Sequence, residues 1–351
     1  MWHKDLAGAF GMISSMKKNR ITMQDVAREA GVSQSTVSFV LNGNSDVHIA
    51  EKTKERIHKA VAQLGYSHRA TGAVRKRGVD APFIGFMVDE IATSIFAAIS
   101  IEGAQEAAWK AGYVLDVAMT GSNKSYERMV LDRWENEGVA GIIYSSILTR
   151  AISPPKQLNV SKTVLLNCHS EGRLFTSVMP SEILGGMTAT EALIDAGRKR
   201  IAFVGGEEWM EAANDRYEGY RSALISAGIK LDNKLVRTGN FLPSGGYAVV
   251  KALLIEGIEF DGLFCANDLM AIGAYEALKE AGISIPDQVS IVGYDDQELA
   301  RHLSPPLTTV LLPHREMGQW AVNWILTEGA ETKRSPKVVR LECPLVGRQS
   351  C

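Results

Sequence analysis

With 351 residues the chain is too long for one small module, and 46% apolar residues supply a large buried core for two or three domains. The formal net charge of −2 conceals segregation: residues 17–77 hold 12 Lys and Arg against 5 Asp and Glu, whereas residues 78–351 hold 25 against 34. A basic head on an acidic body points to a polyanionic partner for the head. No apolar run is long enough to span a membrane and no signal-peptide stretch opens the chain, so the expected location is the cytoplasm, with no membrane partner. The four cysteines show neither CxxC nor zinc spacing and are expected as reduced thiols, with no metal site and no cofactor.

Residues 1–19 are expected to be a disordered or misassigned extension, the alternative being that residues 1–15 precede a true start at Met16. Two short helices follow, joined by a tight turn. Gly31 stands where the first must stop and Ser33 where the second is N-capped. Val26, Ala27, Ala30, Val32, Val37, Val40 and Leu41 form a small apolar core. Gln34, Ser35, Ser38, Phe39 and Asn42 share the opposite face of the second helix at helical spacing. A polar face on such a helix pair is how a helix-turn-helix enters a major groove. Glu51–Leu64 reads as a third helix with the stripe Ile57, Val61 and Leu64. Residues 67–81 are a basic, polar linker closed by Pro82.

From Pro82 the pattern alternates apolar strands with helices, the signature of parallel α/β sheets. Expected strands are Phe83–Val88, Tyr113–Ala118, Val139–Tyr144, Thr163–Leu166, Ser177–Met179, Arg200–Val204, Leu235–Thr238, Gly262–Cys265 and Val289–Val292. Helices lie between them, among them Phe96–Ala111, Glu182–Ala196, Ala212–Ala227, Gly245–Glu256 and Leu269–Ala281. The fold class is α/β: an all-α helix-turn-helix headpiece followed by two doubly wound lobes with a ligand cleft between them.

Several ordered motifs resemble one family. Asp25-Val-Ala-Arg-Glu-Ala-Gly-Val-Ser33, Thr36-Val-Ser38 and Leu41-Asn-Gly43 are similar to the LacI/GalR family of bacterial repressors. So are Ile84-Gly85, Gly197-Arg-Lys-Arg-Ile-Ala-Phe-Val-Gly-Gly206, Arg216 to Leu224, Ala266 to Ala274, Val292-Gly-Tyr-Asp-Asp296 and Pro306 to Val310. The resemblance implies a core of periplasmic-binding-protein type in which the chain crosses between lobes three times. The expected divisions are 20–66 for the DNA-binding domain and 67–81 for a hinge. Residues 82–179 with 311–337 then form one lobe, and 180–310 with 338–351 the other.

The same resemblance implies a homodimer on a near-palindromic double-stranded DNA operator. Lys17, Lys18, Arg20, Lys52, Lys54 and Arg56 are expected on phosphates. Gln34 and Ser35 are expected to read bases, helped by Thr36; Ser38 is expected on phosphate. Thr22, Ser33, Asn42 and Thr53 complete the expected contacts of the headpiece. Phe39 stands where the family usually has Arg, which exchanges a bidentate grip on guanine for apolar contact with a thymine methyl. The hinge departs too. Arg69, Val74 and Arg75 are its expected contacts, but Gly72 lowers helix propensity by roughly 1 kcal/mol, the family's Leu position falls on Arg75 or Lys76, and Val74 is the only candidate to wedge a base step.

In the cleft the resemblance assigns effector contacts to Arg216, Asn267 and Asp295, with Asn167 at a position often held by Asp. Trp209 is suited to stack on a sugar ring, and Phe96 resembles a family aromatic. Guanidinium, carboxylate and amide groups suit neighbouring hydroxyls. The expected function is a transcriptional repressor of carbohydrate uptake or catabolism genes, controlled by a mono- or oligosaccharide. A purine effector is the alternative within the class. A sugar-binding protein without regulation would lack the basic head, and an enzyme needs a catalytic set: there is no HExxH, P-loop, GxSxG or full GxGxxG, so no catalytic residue is assigned.

Overall fold

The computed structural model describes residues 22–41, 49–64, 81–92, 95–329 and 335–351. The chain forms two compact units, residues 1–80 and 81–351. Asn42, Arg69, Val74, Arg75 and the extension 1–19 lie outside the described residues.

In the first unit, α1 (Met23–Ala30), α2 (Gln34–Leu41) and α3 (Glu51–Leu64) pack around Val26, Ala27, Ala30, Val37, Ile57 and Ala60. Val32, Val40, Leu41, Val61 and Leu64 close over that cluster, so the apolar residues read from the sequence share one core. Local chemistry sets the helix ends. Thr22 and Asp25 form a reciprocal capping box on α1, and Gly31 ends that helix at φ +62°, where a side chain is strained. Ser33 Oγ then accepts the Thr36 backbone N–H at 3.1 Å, capping α2.

The second unit holds two six-stranded sheets. The first comprises β1 (Phe83–Val88), β2 (Val114–Met119), β3 (Ile142–Ile152), β4 (Thr163–Ser170), β5 (Thr176–Pro180) and β11 (Val338–Leu341), in the order β11-β5-β4-β3-β1-β2, all parallel. One face is covered by α4 (Ile95–Lys110) and α10 (His314–Thr327), the other by α5 (Lys124–Glu137), whose Trp134 is fully buried. The second sheet comprises β6 (Ile201–Gly205), β7 (Val236–Thr238), β8 (Gly262–Cys265), β9 (Ser290–Asp295), β10 (Thr308–Leu311) and β12 (Leu345–Val346). Its order is β12-β10-β9-β8-β6-β7, parallel except for β12. Its helices are α6 (Glu182–Asp195), α7 (Glu211–Ser226), α8 (Pro243–Ile255) and α9 (Asp268–Glu280). The inner strands β1, β4, β6 and β8 are buried along most of their length and read as apolar runs because both faces are covered.

The chain passes between the sheets after Pro180, after Leu311 and between Leu341 and Leu345. The last passage corrects the expected division, which placed 338–351 wholly in the second lobe. Val338–Leu341 instead adds to the open edge of β5 with Val338 opposite Ser177, and the Ser181 N–H donates to the Leu341 carbonyl at 2.8 Å. Pro180 belongs to β5 and Leu311 to β10, so the first two passages each fall one residue later than expected. Cys168 and Cys265 are packing residues of the two lobes, and burial pushes both thiols well above their ordinary pKa.

Candidate functional site

A cleft of about 610 Å³ opens where the C-terminal ends of both parallel sheets meet, the place where such sheets bind ligands. Phe96, Asn167, Trp209, Arg216, Asn267 and Asp295, nominated separately from the sequence, all line this one cleft. Phe96 comes from α4 and stacks on His314 of α10, with ring centroids 4.9 Å apart. Burial, with Arg216 nearby, pushes the His314 imidazole down to about 3, so it is neutral at physiological pH. Trp209, in the loop between β6 and α7, is 68% exposed at the mouth.

The polar residues are more committed to the protein than their sequence positions indicate. Arg216, on α7, is 4% exposed. Its Nε and Nη2 donate to the two carboxylate oxygens of Glu182 at 2.9 and 3.0 Å, a bidentate pair. Its Nη1 donates to the Ala266 carbonyl at 2.5 Å and lies 3.5 Å from Asp295 Oδ1. The guanidinium carbon sits 3.9 Å above the centre of the Tyr294 ring. Burial works against this charge, but Glu182 and Asp295 outweigh it and hold the arginine protonated. Asn267 caps α9: its Oδ1 accepts the Met270 N–H at 2.8 Å and its Nδ2 donates to the Phe241 carbonyl at 3.0 Å. Asn167, at φ +56°, accepts from Thr149 Oγ1 at 2.7 Å and donates to the Ser146 carbonyl at 3.1 Å.

The two adjacent aspartates at the end of β9 diverge. Asp295 faces the cleft and accepts from Gln297 Nε2 at 3.2 Å, whereas Asp296 pairs with Arg348 Nη2 at 2.5 Å. Behind them Asp268 accepts from Thr309 Oγ1 at 2.6 Å and from the Gln297 N–H at 2.8 Å. Burial pushes Asp268 up to about 7 and Asp295 well above the usual carboxylate range. Across the cleft, Glu211 of α7 reaches the first lobe, accepting the Ala151 N–H at 3.0 Å and standing 3.1 Å from His169 Nε2. Glu182, His314, Phe241 and Glu211 went unrecognised in the sequence. Only Glu182 and Glu211 carried any signal, as acids in the first turn of a helix, and that signal names no partner.

In the first unit, α2 exposes Gln34, Ser35 and Phe39, with Thr36 and Ser38 half-buried beside them. Phe39 is 36% exposed, a phenyl ring on an otherwise polar face. The hydroxyls of Ser35 and Thr36 both lie 2.8 Å from Ser33 Oγ. Thr22 serves the α1 cap, and Thr53 is half-buried in the first turn of α3.

A helix-turn-helix head with two sheets around a ligand cleft has clear relatives. Residues 22–68 match the model of the bacterial regulatory proteins of the lacI family, and residues 190–351 match a periplasmic binding protein-like domain. The ribose operon repressor of Haemophilus influenzae is 32% identical over 336 residues, covering 94% of this chain and 98% of that protein. The chain belongs to the LacI family. The HTH-type transcriptional repressor PurR of Vibrio atlanticus is 33% identical over 94% of this chain and 98% of its own length. Among solved structures, the CelR–cellobiose complex matches with a TM-score of 0.64 at 29% identity over 95% of this chain and 100% of that one. The lac repressor dimer bound to operator and the anti-inducer ONPF matches with a TM-score of 0.63 at 25% identity over 94% of this chain and 98% of that one. The protein is a LacI-family transcriptional repressor; its relatives bind DNA and small effectors and are not enzymes.

Proposed function

We propose that this repressor controls carbohydrate genes in response to a mono- or oligosaccharide bound between the two lobes. The observation that carries the reading is the pairing of Trp209, exposed at the mouth, with a polar floor of Arg216, Asn267 and Asp295. A sugar has an apolar C–H face for an indole and a hydroxyl rim for carboxylate and amide groups. The cleft volume accommodates one ring or two. Two of the similar proteins have sugar-linked names, the ribose operon repressor and the CelR–cellobiose complex.

On DNA, two heads of a homodimer read the half-sites of a near-palindromic operator. Gln34 and Ser35 contact base edges, Phe39 meets an apolar base edge, and Ser38 touches phosphate. Asn42 and the hinge residues Arg69, Val74 and Arg75 add the family's remaining contacts. The effector alters the angle between lobes and thereby operator affinity.

A thermal-shift screen of full-length protein against neutral sugars and purine bases tests the effector class. A sugar that raises the melting temperature and changes operator binding supports the reading. A response confined to a purine base replaces it.

A further inference from the structure

We propose that Glu182 is a specificity-determining residue that closes the cleft to anions, so that the effector is a neutral or cationic polyhydroxyl compound and not a phosphorylated or carboxylated one. The inference deepens the reading of this cleft as the effector site and rests on it.

The cleft offers an anion three sources of attraction: its cations, its helix N-termini and its neutral donors. Glu182 disables the strongest. The edge of a guanidinium that best grips phosphate or carboxylate is the pair of parallel N–H bonds on Nε and Nη2. In Arg216 that edge is filled by Glu182, whose carboxylate is nearly fully buried and has both oxygens committed to it. The Nη1 edge is turned to the Ala266 carbonyl and Asp295. An incoming phosphate therefore meets a guanidinium already paired with the Glu182 carboxylate.

The remaining cations give no alternative. Arg150 donates from Nη2 to Asp89 Oδ2 at 2.9 Å and from Nε to Ser146 Oγ at 3.0 Å. His314 is uncharged, for the reason given above. Among the described residues, every cation lining the cleft has a carboxylate partner.

Helix N-termini would ordinarily attract an anion through their unpaired N–H groups. Two helices that begin at this cleft carry in the first turn an acid that lines it: Glu182 on α6 and Glu211 on α7. Each places a carboxylate where a bound anion would otherwise gain. What remains for a ligand is acceptor-rich and suits hydroxyl or ammonium donors.

The test titrates full-length protein with inorganic phosphate by calorimetry, comparing wild type, Arg216→Gln, Glu182→Gln and the double variant. Phosphate on the basic head is common to all four and cancels. Wild type and Arg216→Gln are expected to give the same isotherm. Glu182→Gln is expected to gain an Arg216-dependent phosphate site about tenfold tighter than any wild-type site, and the double variant to lose it. A wild-type phosphate site that Arg216→Gln abolishes overturns the proposal. So does a folded Glu182→Gln protein whose isotherm matches wild type.

Should Glu182→Gln fail to fold, matched pairs on wild type decide: ribose against ribose 5-phosphate and glucose against glucose 6-phosphate. A phosphorylated member that binds more tightly than its neutral partner overturns the proposal and leaves the sugar reading standing. A purine base binding while no sugar does removes the sugar reading and leaves the phosphate arm to judge Glu182.

Discussion

Asp268→Asn is expected to stabilise the core unit above neutral pH. The carboxyl is buried behind the cleft wall, and burial pushes it from an ordinary 3.8 up to about 7. The folded chain thus keeps this proton where the unfolded chain has lost it. Between about pH 4 and 7 the folded state binds more protons, so stability falls as pH rises and levels off above about 7. A displacement of roughly three units at about 1.4 kcal/mol each puts the cost near 4 kcal/mol, shared with the neighbouring Asp295, which is displaced the same way. Asparagine copies the protonated acid: its carbonyl accepts the Gln297 N–H and its amide donates to Thr309 Oγ1, the two partners Asp268 has now. The variant should match wild type near pH 4, already exceed it by about 1–2 kcal/mol at pH 5, and exceed it by about 2–4 kcal/mol at pH 8. Urea unfolding followed by tryptophan fluorescence reads this out, because five of the six tryptophans lie in the core unit. A variant less stable than wild type at all of these pH values, with an unchanged pH slope, refutes the reasoning, since the charged carboxylate would then be the required form.

Val37 is fully buried in the small headpiece core, so Val37→Ala is expected to cost about 2 kcal/mol and to abolish operator binding with no change in core unfolding; electrophoretic mobility shift and circular dichroism check both. Phe39→Arg should convert an apolar base preference into a guanine preference at one position of each half-site, read by selection from random duplexes; identical sequence preferences refute the role of Phe39. Glu211→Gln should weaken the tie between lobes and raise amide exchange at Ala151, whose N–H it now holds at 3.0 Å; unchanged exchange there shows that the tie carries no weight.

The headpiece was legible residue by residue because its determinants are local. Thr22, Gly31 and Ser33 act on neighbours three or four positions away, and the core spacing follows helical period. Nine of the twelve described strands announced themselves as apolar runs because helices cover both faces of the sheets; β10 and β12 did not. Nor did elements held by distant partners. Helix α5 buries only Val130, Leu131 and Trp134 of its apolar residues, too thin a stripe to stand out. Strand β11 is short, half-exposed and paired to a strand some 160 positions earlier. The cleft residues were legible through their family motifs, but their chemistry was not. That Arg216 spends its bidentate edge on Glu182 depends on how α6 packs against α7, which no local pattern encodes. Asn267 likewise reads as a ligand amide in the sequence and stands as a helix cap in the fold.

In the mechanism proposed for this repressor, effector and operator share one conformational equilibrium. Coupling of that kind is reciprocal: the factor by which the effector changes operator affinity is the factor by which operator changes effector affinity. The direct measurement is the dissociation constant of the best neutral sugar from the thermal-shift screen, taken by calorimetry with and without saturating operator duplex. The two values are predicted to differ by the factor that the sugar imposes on operator binding. Equal values, with the sugar bound in the cleft, would show that effector and operator are not coupled.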